Sequence, residues 1–571
     1  MKTFLKWLAV ILSVFIVLVI AVVFLLNSLL DTEPTVSPNS YLHIQISGEL
    51  AEYVPPDPLE DFFGRASLDM KKIREDLEKA AVDDRINGVI LQINFLQTGY
   101  AKLQELHVII DEYKKSGKKI FAYVETPLTK EYYLATACDS IFMPPSGNLF
   151  ITGLSSEIMF YKGLFDKFGI QAEFIQIGKY KNAPDPYTRR TMSPDQKEVL
   201  GSILDEYYED IIQTISLKRS IPAGDVNKLI NDFSGFTGKE ARQFGLIDGT
   251  AFLSDVQEKL KTGDKKPTKI SATRYASVPA SSLSIRNKSK IAVINCSGTI
   301  ASGGDGEDPV FGKVMGSSTI VSELEKAAAS GSVKAIILRI DSPGGSATAS
   351  EIIWAAIKKA AEKKPVIASI SDYGASGGFY IAMGADTVIA NPASLVGSIG
   401  IYAGKFNVTG LYKKLDLNIE QLGRGKNAGL FSIMKPWSES ERAIVYKLIE
   451  SFYTDFVGMV SAARDISYEK TESLAQGHVW TGSQAFNNGL IDKTGTFYTA
   501  IDVAKKMSGI PENESVRLVY YPKEKSLFYQ LFDAISVKNK SYIEQIDFLL
   551  AHIGQIQNQP LAIMPFLVEW N

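Results

Sequence analysis

Val333–Ser346 reads VKAIILRIDSPGGS. The run up to Ile340 is aliphatic on both alternating sets of positions, the pattern of a strand buried on both faces. Two glycines then let the backbone turn sharply into a helical pattern over Thr348–Glu362, and a second apolar run follows at Pro365–Ser371. Strand, helix, strand in that order predicts an α/β domain with mostly parallel strands.

Working outward, the same text occurs earlier in the chain. GVILQIN at Gly88–Asn94 matches AIILRID at Ala335–Asp341, and at that offset Tyr133, Ala135, Asp139, Pro145 and Gly153 fall on Tyr380, Ala382, Asp386, Pro392 and Gly400. Thr237-Gly238 and Gly245–Asp248 match Thr481-Gly482 and Gly489–Asp492 at a slightly shorter offset. Two homologous domains follow, expected at 41–262 and 289–506, with a linker at 263–288 and an extension at 507–571. Within that extension, Val516–Tyr521 could be one more strand.

The N-terminus has a different character. Trp7–Leu26 carries Ser13 as its only polar residue, enough for a helix of roughly 30 Å, the thickness of a bilayer core. Lys2 and Lys6 precede the run while Asp31 and Glu33 follow it, which places Met1 in the cytoplasm and the remainder outside. The run exceeds the apolar region of an ordinary cleaved signal and lacks an A-x-A-like site, so a retained anchor at 7–29 is expected, followed by a linker at 30–40.

Composition narrows the chemistry. The 61 Lys plus Arg nearly balance the 64 Asp plus Glu, which argues against nucleic-acid binding. Cys138 and Cys296 are too few for a disulfide framework and are expected as unpaired core residues; the four histidines are too scattered for a metal cluster.

The chemistry-bearing residues lie in the second copy. Ser376, within GASGGFY after a strand, sits among glycines at the start of a helix, where its hydroxyl should be exposed and the Gly377 N–H should face the same space. The letters also fit G-x-S-x-G, but that motif needs a downstream histidine, and the surroundings of His478 suit the beginning of a strand better than a general base. At the repeat offset Ser376-Gly377-Gly378 falls on Thr129-Lys130-Glu131, and Gly344-Gly345 falls on Gln97-Thr98. Glycines serving only the fold would be needed in both copies, so their joint absence from one marks a site that only the other keeps.

A serine without histidine needs another base, and a lysine serves if burial leaves it neutral. Lys181 in GKYKNA and Lys426 in GRGKNA share matching surroundings. Most lysines are merely solvated, and both candidates stand at this point. Tyr180 and Ala183 suit a desolvated pocket better than Gly425 and Gly429 do.

The runs DSPGGS, GASGGFYIA, GSIGI and GKYKNA together resemble the signal peptide peptidase A (protease IV) family in its long, duplicated form. The resemblance implies a fold related to the Clp protease subunit and the crotonases. It also implies a homo-oligomer, a tetramer, enclosing its active sites, with no metal or organic cofactor. The implied substrates are signal peptides and other apolar peptides left in the bilayer, cut on the periplasmic side of the inner membrane. Carried over, Ser376 is the nucleophile, Lys181 the general base and Ser398 of GSIGI a hydroxyl orienting the lysine. Backbone N–H groups of Gly377 and of Gly345 or Gly344 form the oxyanion hole, and Lys426 is the alternative base. Rival readings are an acyl-CoA enzyme of crotonase fold, a non-catalytic membrane scaffold, and a membrane peptidase cutting a partner's apolar terminus.

Overall fold

The computed structural model describes residues 34–55, 68–283, 288–308, 312–522 and 561–564, together with Trp7 and Ile285. Trp7 apart, the anchor expected at 7–29 lies outside the described residues. Among these, no helix is long and apolar enough to cross a membrane.

Two parallel sheets repeat each other strand for strand. The first is ordered Gly249–Thr250, Ser140–Met143, Lys119–Val124, Ile86–Leu96, Ser40–Gly48, Thr268–Ser271, all neighbours parallel. The second contains Val366–Ala375, Val333–Ser342, Ser289–Ser297 and Val516–Tyr521 in the corresponding order, with Thr387–Ala390 and Lys493–Thr494 continuing beyond Val366–Ala375. Both copies also carry a 26-residue helix, Pro194–Arg219 and Glu439–Arg464. Each helix starts at a serine cap, Ser193 or Ser438, that accepts a backbone N–H of the first turn, and each ends at a left-handed residue. Val333–Ser342 is buried along almost its whole length, as its unbroken apolar run requires.

Three boundaries differ from the sequence reading. The segment 263–288, expected as a linker, supplies the edge strand Thr268–Ser271 of the first sheet and the short helix Ala272–Tyr275. Likewise Val516–Tyr521 is the edge strand of the second sheet, so that domain extends past 506. Both edges are short and polar-flanked, which hides them from a periodicity search. Finally, the strand expected to stop at Ser371 runs on to Ala375, because Tyr373–Ala375 finds a new partner in Leu395–Gly397.

A third sheet joins the copies. Gln171–Ile177 of the first copy pairs antiparallel with Ile401–Asn407 of the second through seven consecutive residue pairs, and Leu561–Ile563 lies between Ile401–Asn407 and Gly344–Ser346. The apolar cores are shared as well. Ala375, Leu395 and Val479 pack into the first copy's core, while Ile175 packs into the second's. The copies are one body at the place where the conserved glycine runs of the second copy converge with GKYKNA of the first.

Candidate active site

The strand Val366–Ala375 delivers Ser376 at its end. Ser376 takes φ 55° and ψ −114°, a conformation costly for a residue with a side chain, and its N–H is pinned to the Gly397 carbonyl at 2.7 Å. Ser398 is held in the same unusual way, at φ 50°, with its N–H on the His478 carbonyl at 2.7 Å. Two strained serines within one site, each over-determined by its neighbours, mark a place where geometry has been favoured over local stability.

Lys181 arrives from the other copy. The Gln171–Ile177 strand leads into Gly178, and the loop seats against residues 476–478: Tyr180 N–H donates to the Gln476 carbonyl at 2.8 Å. A Cβ on Gly477 would lie 2.6 Å from the Lys181 nitrogen, so only glycine permits this approach. From there Lys181 Nζ reaches Ser376 Oγ at 2.7 Å, Ser398 Oγ at 2.9 Å and the Ser398 carbonyl at 3.0 Å.

All three side chains are fully buried. Ser376 thus differs from the expectation of an exposed hydroxyl: the Lys181 loop and the neighbouring strands cover it. No carboxylate neutralises Lys181, and burial alone pushes its pKa well below the ordinary lysine value. A neutral amine 2.7 Å from a hydroxyl can accept its proton. The structure therefore brings together Ser376, Lys181 and Ser398 and leaves Lys426 outside, exposed in a surface turn between 423 and 430. Its GRGKNA context is a copy of the sequence motif without the burial.

His478 does not serve the serine. Its Nδ1 faces the Val479 carbonyl at 2.9 Å, its ring stacks on Trp480, and burial lowers its pKa to about 4.

Around the serine the glycines meet closely. Gly344 has φ 105°, and its N–H is occupied by Ser342 Oγ at 3.2 Å. That leaves Gly345 as the better second donor beside Gly377. A Cβ on Gly377 would stand 3.1 Å from the Gly345 nitrogen, so these two N–H groups border one small space. In the first copy the equivalent positions are tied into structural bonds. Glu131 accepts the N–H groups of Leu96 and Leu128, and Thr98 Oγ1 bonds Leu50 N–H and the Gly48 carbonyl.

The sequence reading missed a charged cluster beneath the site. Lys102, buried in the first copy, places Nζ 2.7 Å from Asp341 and 3.2 Å from Asp372, the residues that open the two glycine-bearing loops. Burial opposes its charge, but the two carboxylates outweigh that and hold its pKa well above the ordinary value. Asp372 also accepts the N–H groups of Gly99 and Lys102, and Asp341 accepts that of Tyr373. Nearby, Arg339 bridges Glu52 and Glu105 of the first copy. A signal existed: Gln92 and Asn94 of the first copy stand where the second has Arg339 and Asp341. Cys138 and Cys296 are buried and unpaired. Among the described residues no group of His, Cys, Asp and Glu is arranged to hold a metal.

Comparison with known proteins gives the same direction. The description "Peptidase family S49" matches residues 112–266 and again 358–510. The chain is 35% identical over 487 residues to the chloroplastic serine protease SPPA of Arabidopsis thaliana, covering 84% of this chain and 71% of that one. It is 32% identical over 458 residues to Protease 4 of Haemophilus influenzae, covering 77% and 73%. Among solved structures it is similar to ClpP1 of Listeria monocytogenes at 15% identity and a TM-score of 0.25, covering 37% of this chain and 94% of that one. The chain belongs to peptidase family S49 and is a serine peptidase that carries the family's domain twice.

Proposed function

We propose that the protein is a membrane-anchored endopeptidase with a Ser376/Lys181 dyad, acting on signal peptides and other apolar peptides left in the bilayer. The observation that carries the dyad is the 2.7 Å contact between a buried, unneutralised amine and the strained serine hydroxyl. Neutral Lys181 takes the Ser376 proton as Oγ attacks the scissile carbonyl, and Ser398 keeps Nζ aimed at the hydroxyl. The carbonyl oxygen, now negative, is received by the N–H groups of Gly377 and Gly345. Lys181 returns the proton to the departing amine, then activates the water that hydrolyses the ester.

The membrane part of the reading is supported by Trp7–Leu26 and the lysines before it, which favour a single-pass inner-membrane protein with its catalytic domains on the periplasmic side. A Clp protease or crotonase-like architecture and a tetramer accord with the sequence resemblance. The test is hydrolysis of a synthetic apolar signal peptide by the full-length protein in detergent. The native chain should cut it and Ser376→Ala should not; equal turnover by the two would refute the assignment.

A further inference from the structure

The third sheet contains one strand that neither copy supplies. Leu561–Ile563, from the C-terminal extension, lies antiparallel to Gly344–Ser346 with Gly344 opposite Ile563, Gly345 opposite Ala562 and Ser346 opposite Leu561. On its other side Leu561 pairs with Tyr402. The segment therefore fills a slot whose walls are the loop carrying the oxyanion donors and the strand that pairs with the approach to Lys181. An extended peptide held by backbone pairing on both sides is bound in the manner of strand addition, which is how a protease holds a chain for cutting.

The register is specific. Met564 N–H donates to the Pro343 carbonyl at 2.7 Å. By the alternation of an antiparallel ladder, Gly345 and Ala562 are then the next hydrogen-bonded pair, which turns the Ala562 carbonyl toward the Gly345 N–H. The position that a Gly344 Cβ would take lies 2.0 Å from the Ala562 carbonyl oxygen and 2.8 Å from the Gly377 nitrogen. One carbonyl of the segment, that of Ala562, thus lies beside both N–H groups assigned to the oxyanion hole. Ala562 is fully buried and Met564 nearly so, packed into the core that the copies share.

We infer that the chain is its own substrate: Ser376 cuts the Ala562–Ile563 bond and releases residues 563–571. Ser376 Oγ bonds to the Ala562 carbonyl carbon, the bond from that carbon to the Ile563 nitrogen breaks, and the Oγ proton passes through Lys181 to that nitrogen. Water then hydrolyses the ester, leaving a carboxylate at Ala562 and restoring the serine. The step is redox-neutral and needs no reactant beyond water. It also defines a preference, a small residue at the position whose carbonyl is attacked, since Ala562 has the Gly344 backbone against it.

This inference rests on the Ser376/Lys181 reading, and one experiment separates the two. The full-length protein, purified in detergent, is followed by intact mass spectrometry while an added apolar peptide is assayed in the same tube. The native chain should lose 563–571 with a first-order rate unchanged by tenfold dilution, Ser376→Ala should stay whole, and Ala562→Trp should slow the loss at least tenfold without reducing turnover of the added peptide. An intact native chain that still cuts the added peptide overturns self-cleavage alone, as does cutting at another bond or a rate that falls on dilution. If neither the chain nor the peptide is cut, both readings fall.

Discussion

Lys102 Nζ lies 2.7 Å from Asp341 and belongs to the copy that has no nucleophile. The same ammonium reaches Asp372 at 3.2 Å, so a single side chain of the first copy holds the starts of both glycine-bearing loops of the second. Lys102→Met would leave two buried carboxylates without a counter-charge. A loss of about 3–5 kcal/mol in denaturant unfolding is expected, with peptidase activity falling alongside it. A loss below about 1 kcal/mol would place the cluster among ordinary surface pairs.

Lys181→Met should do the reverse to stability. Burial pushes the Lys181 pKa well below the ordinary value, so between that lowered pKa and the ordinary one the unfolded chain holds a proton that the folded chain does not. Stability therefore rises with pH across that window, and at neutral pH the native lysine costs about 1.4 kcal/mol for each unit of depression. The Met variant should melt higher than the native protein at pH 7, with the difference shrinking toward pH 10, while activity is lost.

The pH dependence of kcat/KM should show an ascending limb well below the ordinary lysine range, because only neutral Lys181 can take the serine proton. His478, held at about 4 by burial, is not that group. His478→Asn should leave the midpoint of the limb unchanged; its disappearance would give the histidine the role assigned to Lys181.

Ser398→Ala removes one of the two contacts that Ser398 offers to Lys181 Nζ and keeps the carbonyl at 3.0 Å. One buried hydrogen bond is worth about 1 kcal/mol, so kcat should fall about tenfold with KM nearly unchanged. A hydroxyl with a purely structural role would instead lower stability and leave kcat in place.

Much of this arrangement was legible before any coordinates. The unbroken apolar runs of Val333–Ile340 and Gly88–Asn94 specify buried parallel strands, and the repeat finds the domains because it is a long-range comparison rather than a local propensity. The glycines around Ser376 stood out because Thr129-Lys130-Glu131 replaces them in the first copy. The edge strands Thr268–Ser271 and Val516–Tyr521 were harder, being short and half-exposed, with no alternation to read. Lys102 escaped notice because its role depends on which loops the fold lays over it, whereas Arg339 and Asp341 were visible as charges where the first copy is neutral. The choice between Lys181 and Lys426 turns on burial, which identical G-x-x-K-N-A surroundings do not encode.

The central claim is that the base comes from the first copy and acts on the serine of the second. Its most direct test is covalent labelling of Ser376 by a fluorophosphonate in the purified full-length protein, quantified by mass spectrometry of the peptide containing Gly374–Tyr380. Labelling should be lost in Lys181→Ala and retained in Lys426→Ala. Retention in Lys181→Ala with loss in Lys426→Ala would move the base into the second copy and contradict the account.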